Sequence, residues 1–114
     1  MKPVYKRILL KLSGEVLAGE KGSGIDFDTV TDICKVIKEC TDMGVQIGIV
    51  VGGGNFWRGR SSGTMDRTRA DHMGMLATVM NSLALQEALI QLGNDAVVMT
   101  ALDIQRVAVP FNKD

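Results

Sequence analysis

The sequence predicts an α/β fold with a mainly parallel sheet, and three observations carry that expectation. Two short aliphatic runs, residues 7–13 and 45–51, each lead into a glycine turn. Between them lies a segment whose apolar residues recur at helical spacing. Hydrophobic residues make up 46% of the 114 positions but Phe, Trp and Tyr only 4%, so the core is aliphatic, which favours α/β over an aromatic-rich β-sandwich. A chain of this length buries about two thirds of its unfolded surface, enough for one folded core.

Residues 7–13, Arg-Ile-Leu-Leu-Lys-Leu-Ser, form a short apolar run closed by Ser13-Gly14, as a buried strand followed by a turn requires. Residues 15–25 are polar and punctuated by Gly19, Gly22 and Gly24, which reads as a loop or hairpin rather than a helix. From Asp28, a capping residue type, Val30, Ile33, Cys34, Ile37 and Cys40 follow at helical spacing, with Lys35, Lys38, Glu39 and Asp42 between them and Gly44 as the stop. This helix covers one face of the sheet and leaves a charged face in water. Residues 45–51 are β-branched and mostly apolar, as expected of a central parallel strand covered on both faces. Strand, helix and strand together make a right-handed βαβ unit.

Residues 61–68 read as a polar loop, and residues 70–92 as a long buried helix, free of proline and apolar nearly all round between His72 and Leu85. Gly93-Asn94-Asp95 ends it, and residues 96–99 read as a third strand. Three strands are fewer than the five or six of a typical sheet, so the chain is expected to end inside its domain.

Thirteen basic and thirteen acidic residues cancel, which argues against nucleic acid or an anionic membrane as the main partner. Lys6 and Arg7 are followed by only three apolar residues before Lys11, too short a run for a signal peptide or a spanning helix, so a cytoplasmic location is expected. Cys34 and Cys40 lie six apart on one helix and cannot pair with each other. With a lone His72 and no Cys-x-x-Cys, no residue stands out as a metal ligand, and both cysteines are expected to be reduced core residues. Met73, Met75 and Met80 read as core packing.

Three glycine loops compete for the chemistry. Residues 14–19 have the glycine spacing of a P-loop, but Glu20 stands where the phosphate-binding lysine belongs, and a carboxylate there repels phosphate. Residues 52–57 follow a strand as a dinucleotide fingerprint does, yet Trp57 replaces the third glycine that lets helix and strand pack closely. What remains is general: Gly52-Gly53-Gly54 at the carboxyl end of a strand exposes backbone N–H groups with no Cβ to keep an anion away. Asn55 and Arg58 add side-chain donors, and the plainer alternative is a tight turn. Parallel pairing brings Lys11 and Ser13-Gly14 beside this loop. A lysine in an apolar strand needs a partner for its ammonium, or else it snorkels to solvent.

Residues 5–15, 50–55, 57–59 and 71–86, the last reading Asp-His-Met-Gly-Met-Leu-Ala-Thr-Val-Met-Asn-Ser-Leu-Ala-Leu-Gln, together resemble the amino acid kinase family, and within it the bacterial UMP kinases. The resemblance spans essentially the whole chain. It implies a three-layer αβα sandwich, incomplete at its C-terminal end, with residues 1–114 as the N-terminal, UMP-binding side of a single domain. It implies transfer of the γ-phosphoryl group of ATP, as its Mg²⁺ complex, to UMP in pyrimidine nucleotide synthesis, by a homohexamer activated by GTP and inhibited by UTP. These residues alone are not expected to turn over.

Position by position, the resemblance implies that Lys11 contacts the ATP phosphates and the transferring group, with Leu12, Ser13 and Gly14 shaping that loop. Gly53 binds UMP, Gly54 and Arg58 bind ATP, and Lys11 and Arg58 carry the catalytic charge. Asp71 holds the UMP ribose hydroxyls; read without the resemblance, it is equally a helix N-terminal acid favoured by the dipole. Gln86 and Ile90 stand where some relatives carry a cationic or imidazole side chain in the GTP site. Two other readings stay open: a different small-molecule kinase of the same family, and a non-catalytic nucleotide-binding or subunit-interaction module that uses the long helix.

Overall fold

The computed structural model describes residues 4–56, 66–101, 104 and 109–111. Strand β1 (Arg7–Leu12) pairs in parallel with β2 (Gln46–Val51), in register from Arg7 opposite Gln46 to Leu12 opposite Val51. Alternation along the two strands sends Leu10, Leu12, Ile47 and Ile49 toward a core that contains Leu17, Val30, Cys34 and Leu85. The opposite face carries Leu9, Lys11 and Val50, all exposed. Helices among the described residues therefore cover one face of β2, not both as its continuous apolar run suggested. The architecture is α/β with parallel pairing, as expected.

Helix α1 (Phe27–Asp42) forms the crossover and buries Val30, Cys34 and Ile37 at i, i+4 and i+7. Its N-cap is Asp26 rather than Asp28, and the Asp26 carboxylate accepts from the Thr29 hydroxyl at 2.7 Å instead of from a backbone amide. At the other end Gly44 takes a left-handed φ of 88° and its N–H donates to the Thr41 carbonyl at 2.9 Å, which stops the helix where the glycine indicated.

Burial pushes the Cys34 thiol up from its ordinary pKa, and its Sγ lies 3.8 Å from the Leu85 carbonyl that accepts its weak hydrogen bond. Cys40 is only partly buried, which the expectation of two core cysteines did not separate, and both are free thiols. Because the thiolate is the reactive form, a maleimide is expected to label Cys40 well before Cys34 in the native protein and both equally in denaturant. Mass spectrometry of the alkylated peptides reads this directly.

Residues 14–21 are not a loop or hairpin. They form a 3₁₀-helix, Gly14–Lys21, broken at Gly19 (φ 55°, ψ −137°), which inserts Leu17 and Ala18 into the core. A short 3₁₀ piece places i and i+3 in line, a period that a glycine-punctuated polar stretch hides.

Helix α2 (Arg67–Gln91) starts before residue 70, because the Asp66 side chain caps it by accepting from the Arg69 N–H at 3.2 Å. It packs on α1, β2 and the 3₁₀-helix and adds Leu85, Ala88 and Leu89 to the core, with Ala70, Ala77 and Ala84 also buried. Met73, Met75 and Met80 are not core: they are 41%, 45% and 50% exposed. An all-round apolar pattern does not say which side faces inward. By length and composition alone this helix could cross a membrane, but its buried alanine side does the work of a core helix.

The third strand, β3 (Met99–Thr100), begins three residues later than expected and pairs in parallel with a fourth, β4 (Val109–Pro110). Pro110 hides β4 from a sequence reading because it lacks an N–H; the Phe111 N–H donates instead, to the Thr100 carbonyl at 2.8 Å.

Candidate functional site

The carboxyl ends of β1 and β2 lie side by side, and the chain leaves both through glycine. The last rung of the ladder is the Gly52 N–H donating to the Leu12 carbonyl at 3.0 Å. Beyond it the two loops touch. A Cβ on Gly14 would stand 2.6 Å from the Gly52 carbonyl oxygen, 2.7 Å from Asn55 Oδ1 and 2.8 Å from the Gly54 nitrogen. A Cβ on Gly53 would stand 2.8 Å from the Ala77 Cβ and 3.0 Å from the Gly74 carbonyl oxygen, on α2.

Neither Gly14 nor Gly53 has a positive φ, so close approach of backbones is what requires glycine here. The sequence argued for room to admit an anion; packing of the loop between its neighbours is a second and independent reason. Among the described residues the Gly53 and Gly54 amides donate to nothing. Two unpaired N–H groups at adjacent positions are the donors an anion needs.

Lys11, at the end of β1 opposite Val50, is exposed, and its side chain makes no hydrogen bond or ion pair with another described residue. The burial cost inferred from its apolar neighbours does not arise, since it stands on the uncovered sheet face. Its Cα lies one residue before the end of the ladder from which both glycine loops leave. Leu12 closes the strand, and Ser13 caps the 3₁₀-helix by accepting from the Glu15 N–H at 3.2 Å, which fixes the turn that brings Gly14 against Gly52.

Asp71 lies in the second turn of α2, not its first. The dipole effect fades within the first turn, and the capping carboxylate is Asp66, so the dipole contributes little at Asp71. Asp71, Gly74 and Thr78 fall at i, i+3 and i+7 on one stripe of α2. Gly53 backs onto that stripe at Gly74 and Thr78. Asp71 is exposed, and its contact among the described residues is a long one of 3.9 Å to Arg67. Gly53 thus lies against the α2 stripe that carries Asp71, and Gly14 lies against Gly52 and Gly54; Arg58 lies outside the described residues.

Asn55 does not offer its amide to the site, as the sequence suggested. Its Nδ2 donates inward, to the Gly24 carbonyl at 2.7 Å and to Asn81 Oδ1 at 2.9 Å. Asn81, on α2, was not singled out from the sequence, and it is fully buried. Its Nδ2 donates to the Gly52 carbonyl and to Asn55 Oδ1, both at 2.7 Å. The signal was present: an asparagine four residues after Ala77 and four before Leu85, on the buried side of an apolar helix.

Gln86 donates to the Ala96 carbonyl at 3.0 Å, tying α2 to the segment before β3, while Ile90 is exposed. Among the described residues no three His, Cys, Asp or Glu side chains cluster as a metal cage.

Residues 6–114 match the sequence profile of the amino acid kinase family. Two solved structures are similar over 95% of this chain: UMP kinase from Bacillus anthracis, at 37% identity and a TM-score of 0.87, and UMP kinase from Ureaplasma parvum, at 36% identity and a TM-score of 0.87. The chain spans about half of each, 46% of the first and 48% of the second.

Proposed function

Because this chain belongs to the amino acid kinase family, we propose that it supplies the phosphate-handling side of a kinase that moves the γ-phosphoryl group of ATP onto UMP, giving UDP and ADP in pyrimidine nucleotide synthesis. The observation that carries this reading is the meeting of the Gly14 and Gly52–Gly54 loops beside Lys11, with Lys11 and the Gly53 and Gly54 amides unpaired among the described residues.

Phosphoryl transfer asks mostly for positioning and for neutralisation of charge on the equatorial oxygens. No side chain need act as a nucleophile, since a UMP phosphate oxygen attacks in line. Two anions must approach each other, and the chain's own contributions oppose their repulsion: Lys11 with the donor phosphates and transferring group, the Gly54 amide and Arg58 with ATP, and the Gly53 amide with UMP. Asp71 accepts from the ribose hydroxyls, one helical turn along the stripe that Gly53 touches. Mg²⁺ enters with ATP, held by phosphates and water, as its chemistry favours. Assembly as a homohexamer in the cytoplasm, with GTP and UTP as effectors, belongs to the same proposal. The exposed Met73, Leu76 and Met80 stripe supports self-association, whereas Gln86, occupied with Ala96, argues against a GTP site there.

Assaying the intact reading frame that carries these residues with ATP and UMP, CMP, carbamate or aspartate tests the reading. UMP is expected to be the acceptor used; phosphorylation of another acceptor alone makes the protein a different kinase of the family. The exposed Met73, Leu76 and Met80 stripe also fits a second reading, a nucleotide-binding or subunit-interaction module without turnover. Calorimetric titration of the 114 residues with UMP, showing millimolar or tighter binding and no product, supports that alternative.

A further inference from the structure

Asn81 sits in the buried alanine stripe of α2, where an aliphatic side chain would need no partner. An amide placed there must be satisfied, and among the described residues its side-chain hydrogen bonds go to the glycine loop. One donor holds the Gly52 carbonyl at the loop's entry, and a reciprocal amide pair holds Asn55 at its exit. Asn55 is held from the other side as well, its side chain donating to the Gly24 carbonyl and its own carbonyl accepting from the Gly24 N–H at 2.8 Å. Asn81 therefore pins both ends of the Gly52–Asn55 turn, Gly24 holds its exit as well, and among the described residues the two amides between are left unpaired.

We propose that Asn81 is a positioning residue for nucleotide phosphate: through its bonds to the Gly52 carbonyl and the Asn55 amide it locks the turn that presents the Gly53 and Gly54 N–H groups, without touching substrate. The inference rests on the kinase reading of the loop. It differs from a role in the fold alone in one respect: affinity of the folded molecules for nucleotide depends on Asn81, not only the number of molecules that fold.

The intact reading frame is compared with its Asn81→Ala and Asn81→Asp variants for UMP and ATP affinity by calorimetry, for kcat and KM, and for melting. Asn81→Ala leaves the Gly52 carbonyl and the Asn55 amide partly unpaired, and weakens nucleotide binding by about tenfold, the scale of one unsatisfied buried group. Asn81→Asp is isosteric and keeps the test decisive where the alanine variant loses the fold. Burial raises the pKa of the new carboxyl; protonated, it donates one bond in place of the amide, and ionised, it repels the Gly52 and Asn55 oxygens. Its affinity relative to wild type is expected to recover as pH falls and to drop as pH rises, while that of Asn81→Ala stays about tenfold below wild type at every pH. Variants that melt lower yet bind both nucleotides as wild type does, at all pH values, overturn the proposal. If wild type phosphorylates another acceptor, the UMP reading fails and Asn81 is scored on ATP and that acceptor; if wild type binds no nucleotide, both fail.

Discussion

Lys11→Ala in the intact reading frame is expected to lower kcat by about 10²–10³-fold, the range seen when one pre-placed electrostatic donor is removed from an active site, and to change KM far less. Lys11 stands at the carboxyl end of β1, where the two glycine loops meet, and its ammonium has no partner among the described residues. A charge held free there acts most when negative charge shifts between donor and acceptor oxygens. The same exposure makes the variant a clean test. With no described contact to lose, Lys11→Ala leaves stability within about 0.5 kcal/mol of wild type, as surface substitutions do, so lost activity cannot be blamed on lost fold. Lys11→Arg restores the charge but carries it on a planar fork, and should recover part of the rate. Steady-state kinetics with saturating ATP and UMP decide the matter: an unchanged kcat removes Lys11 from the chemistry and leaves it a solvated strand lysine.

The elements that announce themselves in the sequence are those with a clean period. β1, α1 and β2 alternate or repeat strongly enough to place the βαβ unit, and with it the meeting of Lys11, Gly14 and the triple glycine. The 3₁₀-helix at Gly14–Lys21 escapes because its period of three runs for eight residues across a glycine break. For α2 the difficulty is of another kind: with apolar residues on every side, composition cannot tell that alanines face inward and Met73, Met75 and Met80 outward. The site divides along the same line. Gly52-Gly53-Gly54 and Lys11 are legible because glycine runs and a charge in an apolar strand are rare. The inward turn of Asn55 and its pairing with Asn81 join residues 26 positions apart, and only the packed structure shows that an asparagine within an apolar helix points at the loop.

Gly14→Ala and Gly53→Ala should each reduce kcat/KM by about 10²-fold or more, the loss that follows when binding groups are displaced by about 1 Å. At Gly14 all three atoms that the new Cβ would meet lie under 3.0 Å, and two belong to backbone, so no rotamer change relieves the contact. Either the 3₁₀-helix or the triple-glycine loop must move, and both build the site. Overpacking of this kind costs about 1–3 kcal/mol of stability, and a lowered melting temperature accompanies the lost activity. At Gly53 the first obstacle is the Ala77 Cβ at 2.8 Å, on the helix that carries Asp71 and Asn81. Replacing it in the double variant Gly53→Ala/Ala77→Gly should restore part of the activity. Recovery stays incomplete because the Gly74 carbonyl oxygen remains 3.0 Å away and glycine in mid-helix costs about 1 kcal/mol. Gly48→Ala provides the control from the same strand as the loop. Its Cβ meets only the end of the Leu9 side chain at 3.4 Å, and alanine orders a strand better than glycine does, so activity and melting should both hold. Equal tolerance at positions 14, 48 and 53 would mean that the loops do not pack as they stand, and that the glycines serve anion access alone.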